Sequence, residues 1–408
     1  MTQTDAPAFV YNPFTADYIQ DPYPYYKEMR QKDPVHEHPL GFWILAKHAD
    51  LREVMRAEHS VEDRYEDTTP FKELRKAGVG GVDFRSVLDR SVLNLDPPDH
   101  TRLRRLMTYA FNARSILAQR DRMTELVDDA LNRMADAGRA DIVRDYAYPM
   151  AFTMICDLLG MPDTDLSSLR PLLEVIVRLA EPSVDQGMLA KIAKADQEMS
   201  ERIAEVIDIK RREPDNSLLS GMIQAEHEGD RLTEEELISQ VATLYLAGYE
   251  STINLISNGV LNLLRDREQF ELLAGRPDLD ANAVEEFLRY DASVQQVRRI
   301  TLTPQVIGGK EIPANAFVLG LVGSANRDED FFGPDAGDLR VDRPNAGEHI
   351  SFGERAHYCI GASLARVQAQ LAVGRLIRRF PRMALDGEVT WKTRITVRAA
   401  NAVHVTVS

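Results

Sequence analysis

Cysteine is scarce: the 408 residues include two, Cys156 and Cys359. Two thiols cannot build the bridge framework of a small secreted protein or a cysteine-rich tetrahedral zinc site, so a reducing cytoplasm is the expected compartment. Positive charge is scarce too. Lysine and arginine number 49 against 64 aspartates and glutamates, a formal net charge of -15. A chain that as a whole repels polyphosphate and anionic headgroups is a poor binder of nucleic acid or membrane, and neither partner is expected. The opening stretch MTQTDAPAFVYNPFT has no basic segment followed by an apolar core, so no secretory leader or anchor is expected. Gly/Ser linkers, low-complexity tracts and fixed-period repeats are also lacking. At roughly 150 residues per domain the length alone suggests two or three domains. With no composition boundary, one large domain over residues 1–408 is the better expectation.

What the chain does have is helical periodicity. Turn formers (Asp21, Pro22, Pro24, Pro34, Pro39, Gly41) punctuate the N-terminal region around an apolar run at residues 42–46 that predicts a strand. Helical patterns dominate residues 102–289. Residues 301–321 then alternate strand-like runs with turns at Gly308, Gly309 and residues 313–315, and residues 395–397 and 403–407 predict a terminal hairpin about Asn401. The fold class expected is mainly α with minor β (α+β), the sheets small and segregated. One helix stands out. Thr233 and Glu236 have capping-box spacing, and apolar residues recur from Leu237 to Leu264, about three times an ordinary helix length. Gln240, Asn254, Ser257, Asn258 and Asn262 make that stretch too polar for lipid, so it is expected to run through the middle of the fold.

The strongest chemical signal is the loop FGERAHYCIG, residues 352–361, which leads straight into an amphipathic helix carrying Leu364, Val367, Leu371, Val373 and Leu376. Cys359 sits at the junction. The positive end of the helix dipole and the free N–H groups of the first turn favour a thiolate there. Gly353 and Gly361 would let a flat group approach the backbone closely. Cys156, in the apolar run MICDLLG, reads instead as a small buried hydrophobe.

The stretch resembles the haem-binding signature of the cytochromes P450, with Phe352, Gly353, His357, the iron-ligating Cys359 and Gly361 at matching positions; Arg355 departs from the glycine usual there. Other segments match in order. VEEFLRY is similar to the ExxR motif, with Glu286 and Arg289 one turn apart, and Arg343 in VDRP resembles the third member of that structural network. LAGYEST resembles the motif of the oxygen-activating helix. Ala247, Gly248 and Glu250 match, while Ser251 stands at the alcohol position with Thr252 next. Activating dioxygen consumes protons before the O–O bond breaks, and an acid beside an alcohol can relay them. Gly248 is expected to leave room for dioxygen. LDPPDHTRLRRLM resembles the start of the helix that meets a haem propionate, with His100 and Arg104 four apart on one face. QVRRIT resembles the strand that offers Arg299, or its neighbour Arg298, to the propionates, with His357 completing a cationic set.

The resemblance implies a haem-thiolate monooxygenase with haem b, in which Cys359 holds the iron and pushes electron density toward dioxygen. It also implies electrons from a ferredoxin and its reductase, and no flavin or nicotinamide fingerprint is found in the chain. Arg102, Arg104, Arg105, Arg114, Arg120 and Arg122, together with Arg366, Arg375, Arg378 and Arg379, are expected to form a basic dock for that acidic donor. By family position the substrate wall would draw on residues 85–95, Leu244, Ala247, Gly248, residues 291–297 and residues 171–188. Asp291, Ser293, Gln295 and Gln296 would make it polar, which favours an oxygenated or nitrogen-containing natural product of small or medium size. The alternatives are a relative with oxidative-coupling, peroxide-dependent or NO-dependent chemistry, and a cysteine hydrolase using Cys359 and His357. The last is disfavoured by two side chains two residues apart at a helix start and by the lack of an orienting Asp or Asn.

Overall fold

The structure, a computed structural model, describes residues 11–62, 87–110, 119–161, 166–180, 186–225 and 229–407. Its axis is a helix of 32 residues, Glu234–Arg265. The capping box forms: Thr233 Oγ1 accepts from the Glu236 N–H at 3.3 Å, and the Glu236 carboxylate accepts from the Thr233 N–H at 2.9 Å. Two of the first turn's orphan donors are thereby satisfied.

This long helix is buried over most of its surface, which is why its sequence lacks a polar face. It packs against Tyr148–Leu159, Gln186–Arg212 and Ala362–Arg379. A Cβ on Gly259 would lie 2.9 Å from the Phe287 ring, so the glycine allows the close crossing of Asp280–Tyr290. Two of the asparagines that make the stretch too polar for lipid donate across to neighbouring segments, Asn258 to the Arg398 carbonyl at 3.2 Å and Asn262 to Asp291 Oδ2 at 3.1 Å. No helix among the described residues is long and apolar enough to cross a membrane. One hydrophobic cluster reaches from Val92 to Val407 and contains Cys156, which is 1% exposed.

The strands are few and set to the sides. Five make one sheet in the order Val35–Glu37, Trp43–Leu45, Phe317–Leu321, Gln296–Thr301, His59–Ser60. Trp43–Leu45 runs parallel to Phe317–Leu321 and is buried throughout, as the apolar run at 42–46 predicts. The expected terminal hairpin does not form. His404–Thr406 pairs instead with Arg139–Asp141 on one side and Ala384–Leu385 on the other, and Val397 makes a bridge with Val294. The β-branched residues do form a strand, but it finds its partners far away in sequence.

Candidate functional site

The cysteine loop closes on itself. The Cys359 N–H donates to the Phe352 carbonyl at 2.8 Å and the Gly353 N–H to Ile350 at 3.0 Å. Gly353 has φ 73°, and a Cβ there would come within 3.2 Å of the His357 carbonyl. Arg355 also takes the left-handed conformation, at φ 54°. It keeps the turn a glycine would make, at a cost of roughly 1–2 kcal/mol for a side chain in that region. Cys359 opens the helix Ala362–Arg379 and is partly exposed. Crowding by protein pushes its thiol up, while the N–H groups of Gly361 and Ala362 and the guanidinium groups of Arg104 and Arg366 pull it back. These are the first-turn donors expected to face the sulfur.

His100, Arg104, Arg299 and His357 converge beside this loop. His100 and Arg104 lie one turn apart on Asp99–Ala110, and Arg104 Nη2 donates to the Tyr358 carbonyl. The His100 and His357 rings lie 4.3 Å apart. Burial, and then the charges of His100, Arg299 and Arg104, holds His357 down at about 3. Arg299 rather than Arg298 belongs to the set: the strand's alternation separates them, and Arg298 reaches Asn94 at 3.5 Å. Burial also lowers Arg299, whose Nη1 donates to the Arg298 carbonyl. Sequence reasoning missed a fifth base. His59 pairs across from Thr301, two residues beyond Arg299 on the same face, and burial and Arg299 hold it at about 4. Only pairing across the sheet reveals it. Both ring nitrogens of His59 and of His100 are buried with no partner among the described residues. The carboxylate nearby, Asp96, is taken up by Ser60 Oγ and the Val61 N–H. A pocket that penalises each positive charge while leaving ring nitrogens unpaired is built for an anion.

On the long helix, Ala247 is exposed, and its neighbours Leu246 and Gly248 are part-exposed, as is Ser251. Ala247 and Ser251, four apart, form one open strip. The Ser251 hydroxyl donates to the Ala247 carbonyl at 2.6 Å and that of Thr252 to Gly248 at 2.9 Å, but Thr252 is 3% exposed. Gly248 also has a packing role. Its Cβ position lies 3.2 Å from Ile155 Cδ1, so it admits the helix Tyr148–Leu159. Glu250 is buried and ion-paired with Arg394 at 2.5 Å and Lys392 at 3.7 Å.

Glu286, Arg289 and Arg343 form one buried network, 0%, 0% and 2% exposed at the side chain. Arg289 places all five N–H donors: two on Glu286 at 2.7 and 2.8 Å, and three on the carbonyls of Asn326, Ala336 and Asp338. Arg343 Nε reaches Glu286 at 3.2 Å. The Asn326 side chain in turn accepts from the Ile350 N–H at 3.0 Å and donates to Ser351 Oγ at 2.7 Å, which ties the network to the start of the cysteine loop.

The family described as Cytochrome P450 matches this chain over residues 44–274 and 277–396. The chain belongs to the cytochrome P450 family. It is 35% identical to the cytochrome P450 monooxygenase PikC of Streptomyces venezuelae, over 95% of this chain and 92% of that one. It is 34% identical to the vitamin D(3) 25-hydroxylase of Pseudonocardia autotrophica, over 96% and 95%. The crystal structure of the Bacillus subtilis cytochrome P450 PksS superposes with a TM-score of 0.88 at 28% identity, covering 98% of this chain and 100% of that one. This P450 is therefore a haem-dependent monooxygenase acting on an organic small molecule with electrons from a redox partner. The relatives favour neither the coupling, peroxide or NO alternative nor a cysteine hydrolase.

The residues present fit a haem: a thiol facing backbone donors, an open strip of helix, and a cationic pocket with unpaired imidazoles suited to two propionates. Two expectations about this P450 change. The basic dock is largely neutralised: Arg102 pairs with Asp230 and Glu236, Arg122 with Asp157, Arg366 with Glu285, Arg375 with Asp128, and Arg378 with Asp280. Arg114 lies outside the described residues. Arg120 and Arg379 stay exposed, and an open hollow of about 510 Å³ is lined by His100, Thr101, Arg104, Arg105, Thr108, Arg355 and Ala356. The polar residues of the expected substrate wall also turn elsewhere. Asp291 accepts from Tyr23 Oη at 2.7 Å and faces Arg398 at 3.0 Å; Gln295 accepts from Tyr26 Oη at 3.1 Å, and Gln296 donates to Tyr11 Oη at 2.7 Å. Ser293 keeps a buried hydroxyl with no partner among the described residues. Residues 85–86 and 181–185 of that wall lie outside the described residues.

Proposed function

We propose that the whole chain is one haem-enclosing domain holding haem b, and that Cys359 is the iron ligand. It rests on the sulfur placed against the Gly361 and Ala362 N–H groups, beside buried basic residues of which His59 and His100 have no hydrogen-bond partner among the described residues. The cysteines support haem b over a thioether-attached haem: one is the proposed ligand and the other lies in the core, which leaves none for attachment. The haem supplies dioxygen activation; the chain's residues do the rest. Phe352 and Gly361 would help to hold the macrocycle. His100, Arg104, Arg299 and His357, with His59 behind Arg299, balance the two propionates. Glu286, Arg289 and Arg343 hold the chain against the cysteine loop. The strip of Ala247 and Gly248 borders the oxygen niche, and Ser251 is the hydroxyl placed to hand on a proton. Glu250 supplies protons once loosened from Arg394, and Thr252, turned inward, supports the helix.

The electron donor is a ferredoxin with its NAD(P)H-dependent reductase, landing on the hollow that carries Arg104, Arg105 and Arg355. Two free thiols and such a donor system fit the cytoplasm. With Asp291, Gln295 and Gln296 committed to tyrosines and Arg398, the substrate wall is more apolar than expected. The substrate class is then a mid-sized, largely apolar natural product, of the kind that relatives named for vitamin D3 hydroxylation and polyketide biosynthesis handle. Incubation with ferredoxin, reductase, NADPH, vitamin D3 and ¹⁸O₂ tests this reading. One labelled oxygen per product molecule supports it. Substrate oxidised without label, or turnover supported by peroxide alone, contradicts it.

A further inference from the structure

Arg366 is seven residues beyond Cys359 on the helix Ala362–Arg379, and its guanidinium is engaged within the protein. Its Nε and Nη2 donate to the two oxygens of Glu285 at 2.6 and 2.8 Å, a bidentate pair. Nη1 donates to Tyr358 Oη at 3.1 Å, and the guanidinium lies 4.6 Å over the ring of Phe352. Tyr358 precedes the cysteine, and Phe352 accepts the cysteine N–H. One cation is thus clamped to both arms of the cysteine loop. The anion that balances it is fixed as well. His349 Nδ1 accepts from the Ser351 N–H at 3.1 Å, so the other ring nitrogen carries the hydrogen, and it donates to Glu285 Oε2 at 3.1 Å. Glu285 neighbours Glu286 in sequence, so its position is anchored by the buried network.

We infer that Arg366 is the fixed charge that tunes the Cys359 sulfur and the reduction potential of the iron it holds, and that Glu285 is the counter-charge limiting how much of Arg366 the sulfur feels. This rests on the reading of Cys359 as iron ligand. Arg366 acts through Cys359, not on substrate. The electrostatics give it a sign. Adding an electron to the iron makes the site more negative, so a nearby cation favours the reduced state and a nearby anion opposes it. Arg366→Gln should lower the potential and Glu285→Gln should raise it. A purely structural clamp predicts the same direction for both, since either change loosens the same loop.

The measurement is a spectroelectrochemical titration of the haem-loaded protein and its variants. At a fixed poise, Arg366→Gln should decrease the ferrous-to-ferric ratio by about tenfold, ~59 mV for a one-electron couple, and Glu285→Gln should increase it by a similar factor. The double variant should return close to the parent, and Arg366→Lys, which keeps the charge, should stay near it. Shifts of the same sign in both single variants, or no shift, would overturn the inference. If Arg366→Gln does not retain haem, Glu285→Gln and Arg366→Lys decide: an unchanged or lowered potential in the first overturns it. The CO-bound spectrum of the same samples separates the two claims. A parent protein without a thiolate-type Soret band removes the ligand reading, and this inference with it; a normal band without opposite shifts removes this inference alone.

Discussion

At the residue scale, adjacent side chains of the long helix separate by environment. Both hydroxyls donate to the carbonyl four residues back, but Ser251 shares the open strip with Ala247, whereas Thr252 is buried. Ser251→Ala should therefore divert reducing equivalents from product to peroxide, while Thr252→Val leaves the ratio of product to NADPH nearly unchanged; coupled assays of both variants check this. Glu250→Gln should slow product formation on the order of 10²-fold, the usual yield of a placed acid, with the haem spectrum unaltered. Glu285 carries a pH signature of its own. Burial raises its carboxyl, but the hydrogen bonds from Arg366 and His349 and the Arg366 charge outweigh burial and bring it from the ordinary 4.5 to about 2. A depressed folded value means that the stabilisation is present above pH 4.5 and is lost as pH falls toward 2. Glu285→Gln should flatten the acid limb of the stability curve in that window, read by thermal melts at successive pH values.

At the scale of elements, the network of Asp280–Tyr290 with Arg343 decides whether the cysteine loop is held. Glu286→Gln leaves Arg289 buried without its counter-charge and Arg343 with Asp335 alone, a loss of about 3–5 kcal/mol against a total stability of about 5–15. The expected outcome is aggregated or haem-free protein, checked by the ratio of haem to protein absorbance after purification; a fully loaded Glu286→Gln protein would contradict it. The same elements show what can be read from sequence. The capping box, the long helix and the cysteine loop depend on residues close along the chain, so Thr233, Glu236, Gly353 and Cys359 announce them. The terminal strand and the arginine surface depend on distant partners. His404–Thr406 is composed as a strand but pairs with Arg139–Asp141, and Arg366 looks like a surface base until Glu285 is found opposite it. His59 and the tyrosine partners of Asp291, Gln295 and Gln296 were illegible for the same reason.

At the scale of the whole molecule, a net charge of -15 surrounds a cysteine side whose arginines are mostly paired. Among the described residues, the hollow with Arg105 and Arg355 is lined by no carboxylate. Arg105→Glu should slow reduction by an acidic [2Fe–2S] ferredoxin and weaken the dependence of that rate on salt, as measured by stopped flow. The same change at Arg375, already paired with Asp128, should do much less. The outcomes read on the haem presuppose one thing, that the sulfur of Cys359 is bonded to haem iron. The absorption spectrum of the dithionite-reduced, CO-bound protein tests that most directly. A strongly red-shifted Soret band is expected in the parent protein, and its loss in Cys359→Ala. A Cys359→Ala protein that keeps the band, or a parent protein that stays colourless when supplied with haem, would contradict it.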